Sequence, residues 1–354
     1  MILKKGNKGE WSELYALLKI LSDKVLYSAD ENLALIPKAF IKVLNVKLEE
    51  KANLIYEIDH INDRIIVKEY NNVIASIPII KISSKLSAIL KKIKIGAASK
   101  GAFELLEAQE LMTEIHAKKL KSASTLKADM YVTYEDPSTG MQPTEGFSVK
   151  SQIGGMSTLL NASGSTNFEF KIIESMHSEK IGKKPLISLE NILAPNQVLE
   201  FVGVSNSNFK ENLEMIDSHM PLIIAVMIKG YYLGFGKTIS QLTEYIKLIN
   251  PLEKSKSSHF YEHKIQELLR AVAFGMQPAK IWTGNYEAHG GYIIVKKNGE
   301  LACYHTYDRD SFGKFLYLNT KFETPSRSKH YFGEIEQRNG SKFIKLNLQI
   351  RFTS

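Results

Sequence analysis

The sequence predicts an α/β protein, a mixed β-sheet flanked by helices with an inserted segment and a β-rich C-terminal part. Three observations predict it. A helical stripe of large apolar residues lies near the start, two alternating strands flank a turn-rich loop in the middle, and short β-branched runs fill the tail. The chain has 354 residues, 44% of them hydrophobic, enough to bury one large core or two modest ones.

The stripe is Trp11, Leu14, Leu17, Leu18 and Leu21, whose three- and four-residue steps predict a helix over 10–21 that carries Glu10 and Glu13 one turn apart. From 29 to 100 the pattern predicts a helix near 38–48, then β-rich runs at 53–58, 64–69 and 73–82 separated by Asn and Asp turns. A second amphipathic helix is predicted over 101–120. Two strands follow, Ala128-Asp-Met-Tyr-Val-Thr-Tyr-Glu-Asp136 and Gly146-Phe-Ser-Val-Lys-Ser-Gln-Ile153, around a loop containing Pro137-Ser-Thr-Gly140, and they read as a hairpin. Beyond them the pattern predicts a short helix at 157–162, a strand at 167–173, and helices near 206–216, 238–248 and 260–273. Strands are then expected at 291–296, 300–306 and 342–352.

The 46 Lys and Arg exceed the 38 Asp and Glu by eight, and the isoelectric point is about 9.1. A basic surface favours a polyanionic partner, because each cation set against a phosphate releases a condensed counterion. Only six of those cations are arginine: Arg64, Arg270, Arg309, Arg327, Arg338 and Arg351. The lone Cys303 excludes an internal disulfide and a cysteine-rich zinc site. No run approaches the roughly eighteen apolar residues of a membrane span, since 220–235 is broken by Lys229 and by glycines. The first residues, Met1-Ile-Leu-Lys-Lys-Gly6, lack an apolar signal region, and the chain is expected to be cytoplasmic and away from the membrane.

The hairpin carries the chemistry. Asp129 opens one strand and Lys150 lies on its neighbour, where alternation puts Ser148, Lys150 and Gln152 on one face. Phosphodiester hydrolysis at neutral pH calls for a metal to stabilise the charge of the transition state and for a group that positions or deprotonates the attacking water. A carboxylate and a lysine on adjacent strands supply both. The arrangement resembles the acid-loop-(D/E)xK pattern of the PD-(D/E)xK nuclease superfamily, with serine in place of the second acid in Ser148-Val-Lys150. Strand parity aims Glu145 at the opposite face unless a bulge intervenes, and the resemblance to that superfamily, where a first-helix glutamate commonly lies near the metal, implies that the missing carboxylate comes from Glu13 in preference to Glu10.

Whole segments resemble the HpaII family of type II restriction endonucleases. Asn7-Lys-Gly-Glu-Trp-Ser-Glu13 is similar to that family's N-terminal helix motif and Lys127-Ala-Asp-Met130 to its metal-ligand strand. Gly146-Phe-Ser-Val-Lys-Ser-Gln-Ile-Gly154, Thr158-Leu-Leu-Asn-Ala-Ser163 and Thr166-Asn-Phe168 are similar to its catalytic-lysine strand and the continuation. In the tail, Gly291-Tyr-Ile-Ile-Val295, Thr320-Lys-Phe-Glu-Thr-Pro-Ser326 and Lys345-Leu-Asn-Leu-Gln-Ile-Arg-Phe352 also resemble it, whereas 35–100 carries nothing specific.

The resemblance implies a PD-(D/E)xK nuclease core from residues 1–28 and 101–250, an insertion at 29–100, and a DNA-contacting C-terminal part at 251–354. It implies magnesium-dependent cleavage of double-stranded DNA at CCGG after the first C, beside a protecting cytosine methyltransferase, by a homodimer or by a monomer. Asp129 and Glu13 would then be metal ligands, Lys150 the catalytic lysine, and Ser148 and Gln152 hydrogen-bonding groups of the site. Other CCGG-reading enzymes carry a basic-acidic-arginine signature after the lysine, where Ser151 and Gln152 stand here. Base or backbone contacts are therefore sought elsewhere: Arg327 and Lys329 in Thr324-Pro-Ser-Arg-Ser-Lys-His330, Arg309 between two aspartates, and Asn161. A structure-specific or repair nuclease, and a DNA-binding protein whose nuclease site has decayed, are the alternatives.

Overall fold

A computed structural model describes residues 4–48, 54–98, 101–117, 128–136, 139–177, 181–182, 185–186, 193–194, 196–255 and 257–353. The chain begins with β1 (Lys5–Gly6), α1 (Lys8–Asp23), β2 (Val25–Ala29), β3 (Leu35–Leu48), β4 (Leu54–Asp59), β5 (Arg64–Glu69), β6 (Asn72–Pro78), α2 (Ile79–Gly96), β7 (Phe103–Glu104) and α3 (Leu106–Glu114). The hairpin follows as β8 (Met130–Glu135) and β9 (Thr144–Ser151), then β10 (Thr158–Leu160), β11 (Asn167–Glu174) and β12 (Gln197–Val204). Four helices come next: α4 (Ser207–Ile216), α5 (Met220–Tyr232), α6 (Ile239–Ile249) and α7 (Phe260–Phe274). The chain ends through β13 (Gly291–Val295), β14 (Leu301–His305), α8 (Arg309–Asn319), β15 (Thr320–Phe322), α9 (Arg327–His330), β16 (Ile335–Arg338), β17 (Ser341–Asn347) and β18 (Ile350–Phe352).

Two compact units result, one of residues 1–157 and 286–312 and one of 158–285 and 313–353. The first is built on a nine-stranded mixed sheet in the order β2-β14-β13-β9-β8-β3-β4-β5-β6. The β9–β13 and β2–β14 pairs are parallel and the others antiparallel. The long β3 pairs with β2 through its first half and with β8 through its second, so six strands return on themselves. Helix α1 covers this sheet with Trp11, Leu14, Leu17, Leu18 and Leu21, all buried, and α2 packs on it with Ile79, Ile82, Leu86, Ile89 and Ile93.

A capping box starts α1. The Asn7 side chain accepts from the N–H groups of Gly9 and Glu10 at 2.8 and 3.1 Å, and Glu10 accepts from Asn7 N–H at 2.8 Å. Glu10 is thereby committed to the helix start, which separates its role from that of Glu13.

The second unit holds a four-stranded sheet, β12-β11-β17-β16, and a three-stranded one, β10-β18-β15, with α4 to α7. Helix α5 is buried on nearly every side, which accounts for its apolar composition. No helix among the described residues is long and apolar enough to cross a membrane.

The structure corrects four expectations. Residues 38–48 are strand, not helix, because β3 is hydrogen-bonded to β2, β4 and β8 and buries Val43 and Val46 between them. The run at 73–82 splits at Pro78, where β6 stops and α2 begins. Of the helix expected over 101–120, α3 occupies Leu106–Glu114, and 118–120 lie outside the described residues. Residues 158–160 form β10 rather than a helix, because they pair with β18.

Candidate active site

The hairpin forms as β8 and β9, with Met130 opposite Phe147 and Val132 opposite Glu145. Asp129 stands immediately before β8 and donates its N–H to Phe147 O at 2.8 Å, which extends the ladder and sets it beside Ser148. Its Oδ2 accepts from Val149 N–H at 2.6 Å and from the Ser148 hydroxyl at 3.2 Å. Lys150 Nζ donates to Val149 O at 3.1 Å and comes within 3.5 Å of Ser148 Oγ. A carboxylate, a hydroxyl and an ammonium therefore meet at one end of two adjacent strands. Gln152 lies two residues further on, past the end of β9, where its N–H bonds Val295 O at 2.9 Å.

The neighbouring parallel strand adds a residue that sequence reasoning missed. Tyr292 of β13 lies in register with Ser148, and the Lys150 ammonium is 5.9 Å from the centre of its ring. Tyr292 is 1% exposed, and its hydroxyl has no hydrogen-bond partner among the described residues. Burial, and after it the negative charge of Asp129, pushes its pKa well above the usual phenol value. Residues 291–296 were legible as a strand, but nothing local indicates that this strand pairs with β9 across more than a hundred residues.

The opposite face of β9 carries α1. The hydroxyls of Ser12 and Ser151 hydrogen-bond at 3.0 Å, and Ser151 points away from Lys150 by strand parity. The helix thus adjoins the strand that carries Lys150, as expected, but on the far side from the lysine. Glu13 follows Ser12 and is half-buried. Among the described residues no three His, Cys, Asp or Glu side chains gather into a group that could hold a metal.

Glu145 faces the same side as Phe147 and Val149, away from Lys150. It accepts from Tyr134 Oη at 2.9 Å and pairs with His305 Nε2 at 3.1 Å. Tyr307 N–H donates to His305 Nδ1, which leaves the ring proton on Nε2, shared between Tyr134 Oη at 2.7 Å and Glu145 at 3.1 Å. Burial works against the Glu145 carboxylate. The bonds from His305 and Tyr134, with the fields of His305 and His289, outweigh it and hold the pKa below the ordinary value. These four groups are structural partners of the hairpin rather than part of the Asp129 cluster.

The proposed DNA contacts divide between the units. Arg309, in the first unit, lies over the ring of Tyr286 at 6.0 Å from its centre. In the second unit Arg327 and Lys329 are exposed on α9, with one Arg327 amino group donating to Leu186 O at 3.3 Å, and Asn161 is exposed just after β10.

The model of the HpaII restriction endonuclease family matches residues 7–352. This chain belongs to the HpaII restriction endonuclease family. The type II restriction enzyme HpaII of Haemophilus parainfluenzae is 41% identical over 353 residues, covering 98% of each chain. No solved structure matches the chain.

Proposed function

We propose that this chain is a site-specific endonuclease that hydrolyses phosphodiester bonds in double-stranded DNA. The observation that carries the reading is the convergence of Asp129, Ser148 and Lys150 within a family match that spans nearly the whole chain. The donor set suits Mg2+, a hard cation that takes one or two carboxylates and completes its shell with waters and phosphate oxygens. Asp129 would hold it; the second carboxylate, for which the sequence pattern names Glu13, would have to reach the metal from a helix that adjoins the opposite face of β9, and the Glu13→Gln rate decides whether it does. When bound, Mg2+ supplies charge stabilisation to the phosphorane-like transition state.

The chain's own residues do the rest. Ser148 and the Val149 N–H fix the Asp129 carboxylate by two hydrogen bonds to Oδ2, which holds it in place beside Lys150. Lys150 sets a positive charge beside that carboxylate, where it orients the attacking water and stabilises negative charge growing on the phosphate. Gln152 offers an amide to water on the same side. The family likeness further supports recognition of CCGG with cleavage after the first C, a partner cytosine methyltransferase, a cytoplasmic setting, and a twofold dimer matched to a palindromic site.

Digestion of unmethylated plasmid with Mg2+ tests the reading. Discrete fragments whose 5′ ends begin CGG, the product of cutting CCGG after its first C, are expected. Nicks confined to particular DNA structures would indicate a structure-specific or repair nuclease. A gel shift without any cleavage would mean that serine at position 148 marks a decayed site.

A further inference from the structure

The parallel strands β9 and β13 end side by side, and an open cleft of about 260 Å3 lies at their carboxyl ends, lined by Lys94, Gln152, Ile153, Gly154 and Lys297. The walls are brought together by backbone. Gln152 N–H donates to Val295 O, and the turn that follows β13 closes through Lys296 N–H to Glu300 O, presenting Lys297 at its tip. On the other side Gly154 adopts φ +75°, and a Cβ there would stand 2.7 Å from the Cβ of Ala97, so only glycine lets this loop close against the end of α2, where Lys94 projects.

The charge of this cleft sets it apart from its surroundings. Further along α2, Lys81, Lys85 and Lys92 are salt-bridged to Glu114, Glu110 and Glu107 of α3, and Lys296 is salt-bridged to Glu300. Among the described residues Lys94 and Lys297 have no carboxylate partner and no acidic residue lines the cleft. Two uncompensated ammonium groups and an amide, open to solvent, form a site for an anion with several acceptor oxygens. Two residues of extended chain separate Gln152 from Lys150, about 6.6 Å, so the cleft stands next to the Asp129–Lys150 cluster along the same strand.

We propose that this cleft is a phosphate-binding subsite that holds the backbone of the DNA duplex next to the bond that is cut. The proposal rests on the nuclease reading above. It assigns to Lys94 and Lys297 a share of the affinity that carries no base specificity.

The test is the salt dependence of duplex binding, measured by fluorescence anisotropy in metal-free buffer. Removing two phosphate contacts should flatten the slope of log K against log salt by about 1.8 in Lys94→Gln/Lys297→Gln. The charge-preserving Lys94→Arg/Lys297→Arg should restore it. Lys81→Gln/Lys85→Gln removes the same charge from the same helix and should leave the slope within about 0.5 of the unaltered protein. Thermal melting of each variant confirms that it is folded. An unchanged slope in the Lys94/Lys297 variant, or an equal change in the Lys81/Lys85 variant, overturns the subsite. If the unaltered protein nevertheless cuts plasmid, the nuclease reading survives that result. Duplex binding without salt dependence in the unaltered protein would sink both.

Discussion

Asp129 both organises the hairpin and would hold the metal, and two substitutions separate these roles. In the native site one oxygen accepts from Val149 N–H at 2.6 Å and from Ser148 at 3.2 Å. Hydrogen bonds to a charged group are worth about 1.5–3 kcal/mol and neutral ones about 0.5–1.5 kcal/mol. Asp129→Asn keeps an oxygen for Val149 and Ser148, so it loses only the charge-assisted surplus, about 1–3 kcal/mol over both bonds.

Asp129→Ala goes further, because it leaves the Val149 N–H without its acceptor, a further cost of about 1–3 kcal/mol. For a unit of this size that difference is roughly 2–12 °C in melting temperature. Cleavage separates from stability here. Asparagine preserves the shape but not the charge, so both variants should lose at least about 100-fold in single-turnover rate. The Mg2+-induced rise in melting temperature should vanish in both, where the unaltered protein gains about 2.7 kcal/mol at a hundredfold excess over its dissociation constant. If Asp129→Asn cuts within about tenfold of the unaltered enzyme and keeps its Mg2+ shift, the carboxylate is a structural acceptor and the metal assignment fails.

Four further outcomes are expected. Lys150→Ala should abolish cleavage while duplex affinity stays within about threefold, a change of under 1 kcal/mol, and retained cleavage would remove Lys150 from the mechanism. Glu13→Gln should slow single-turnover cleavage by at least about 100-fold and Glu145→Gln far less; the reverse order would transfer the second carboxylate to Glu145. Glu145→Gln should instead lower stability. Because the folded Glu145 pKa is depressed, its contribution is complete above the ordinary carboxyl value of 4.5 and is lost as pH falls through the lower folded value. The difference in melting temperature from the unaltered protein should therefore shrink in acid, and a pH-independent difference would contradict the charged hydrogen bonds. Tyr292→Phe should be neutral or stabilising, since the hydroxyl it removes is buried without a partner, whereas Tyr292→Leu should cut the rate about two- to fivefold through loss of the ring beneath Lys150. Equal rates for the two would show that the ring plays no part.

Short-range patterns were legible because their physics is local. The leucine stripe of α1, the alternation in β8 and β9 and the turn between them each reside in a dozen residues, and Ser148 and Lys150 share a face by strand geometry alone. The segment at 38–48 misled because its apolar spacing suits either period, and lysine, alanine and leucine favour helix. Pairing partners on both edges decided for strand, an influence that propensity does not contain. The helix α2 was hidden in an isoleucine-rich run whose break is the single Pro78.

The sequence by itself therefore determined the mixed α/β character, the hairpin and the pairing of a carboxylate with a lysine on it, because alternation and turn chemistry act between near neighbours. Only the tertiary structure decided that β13 lies parallel to β9, bringing Tyr292 under Lys150, and that α1 packs on the face turned away from that lysine. It likewise decided that Lys94 and Lys297 flank the end of the same strand. These are contacts between residues tens to hundreds of positions apart. They are set by which buried faces fit together, and no local rule of the chain encodes that choice.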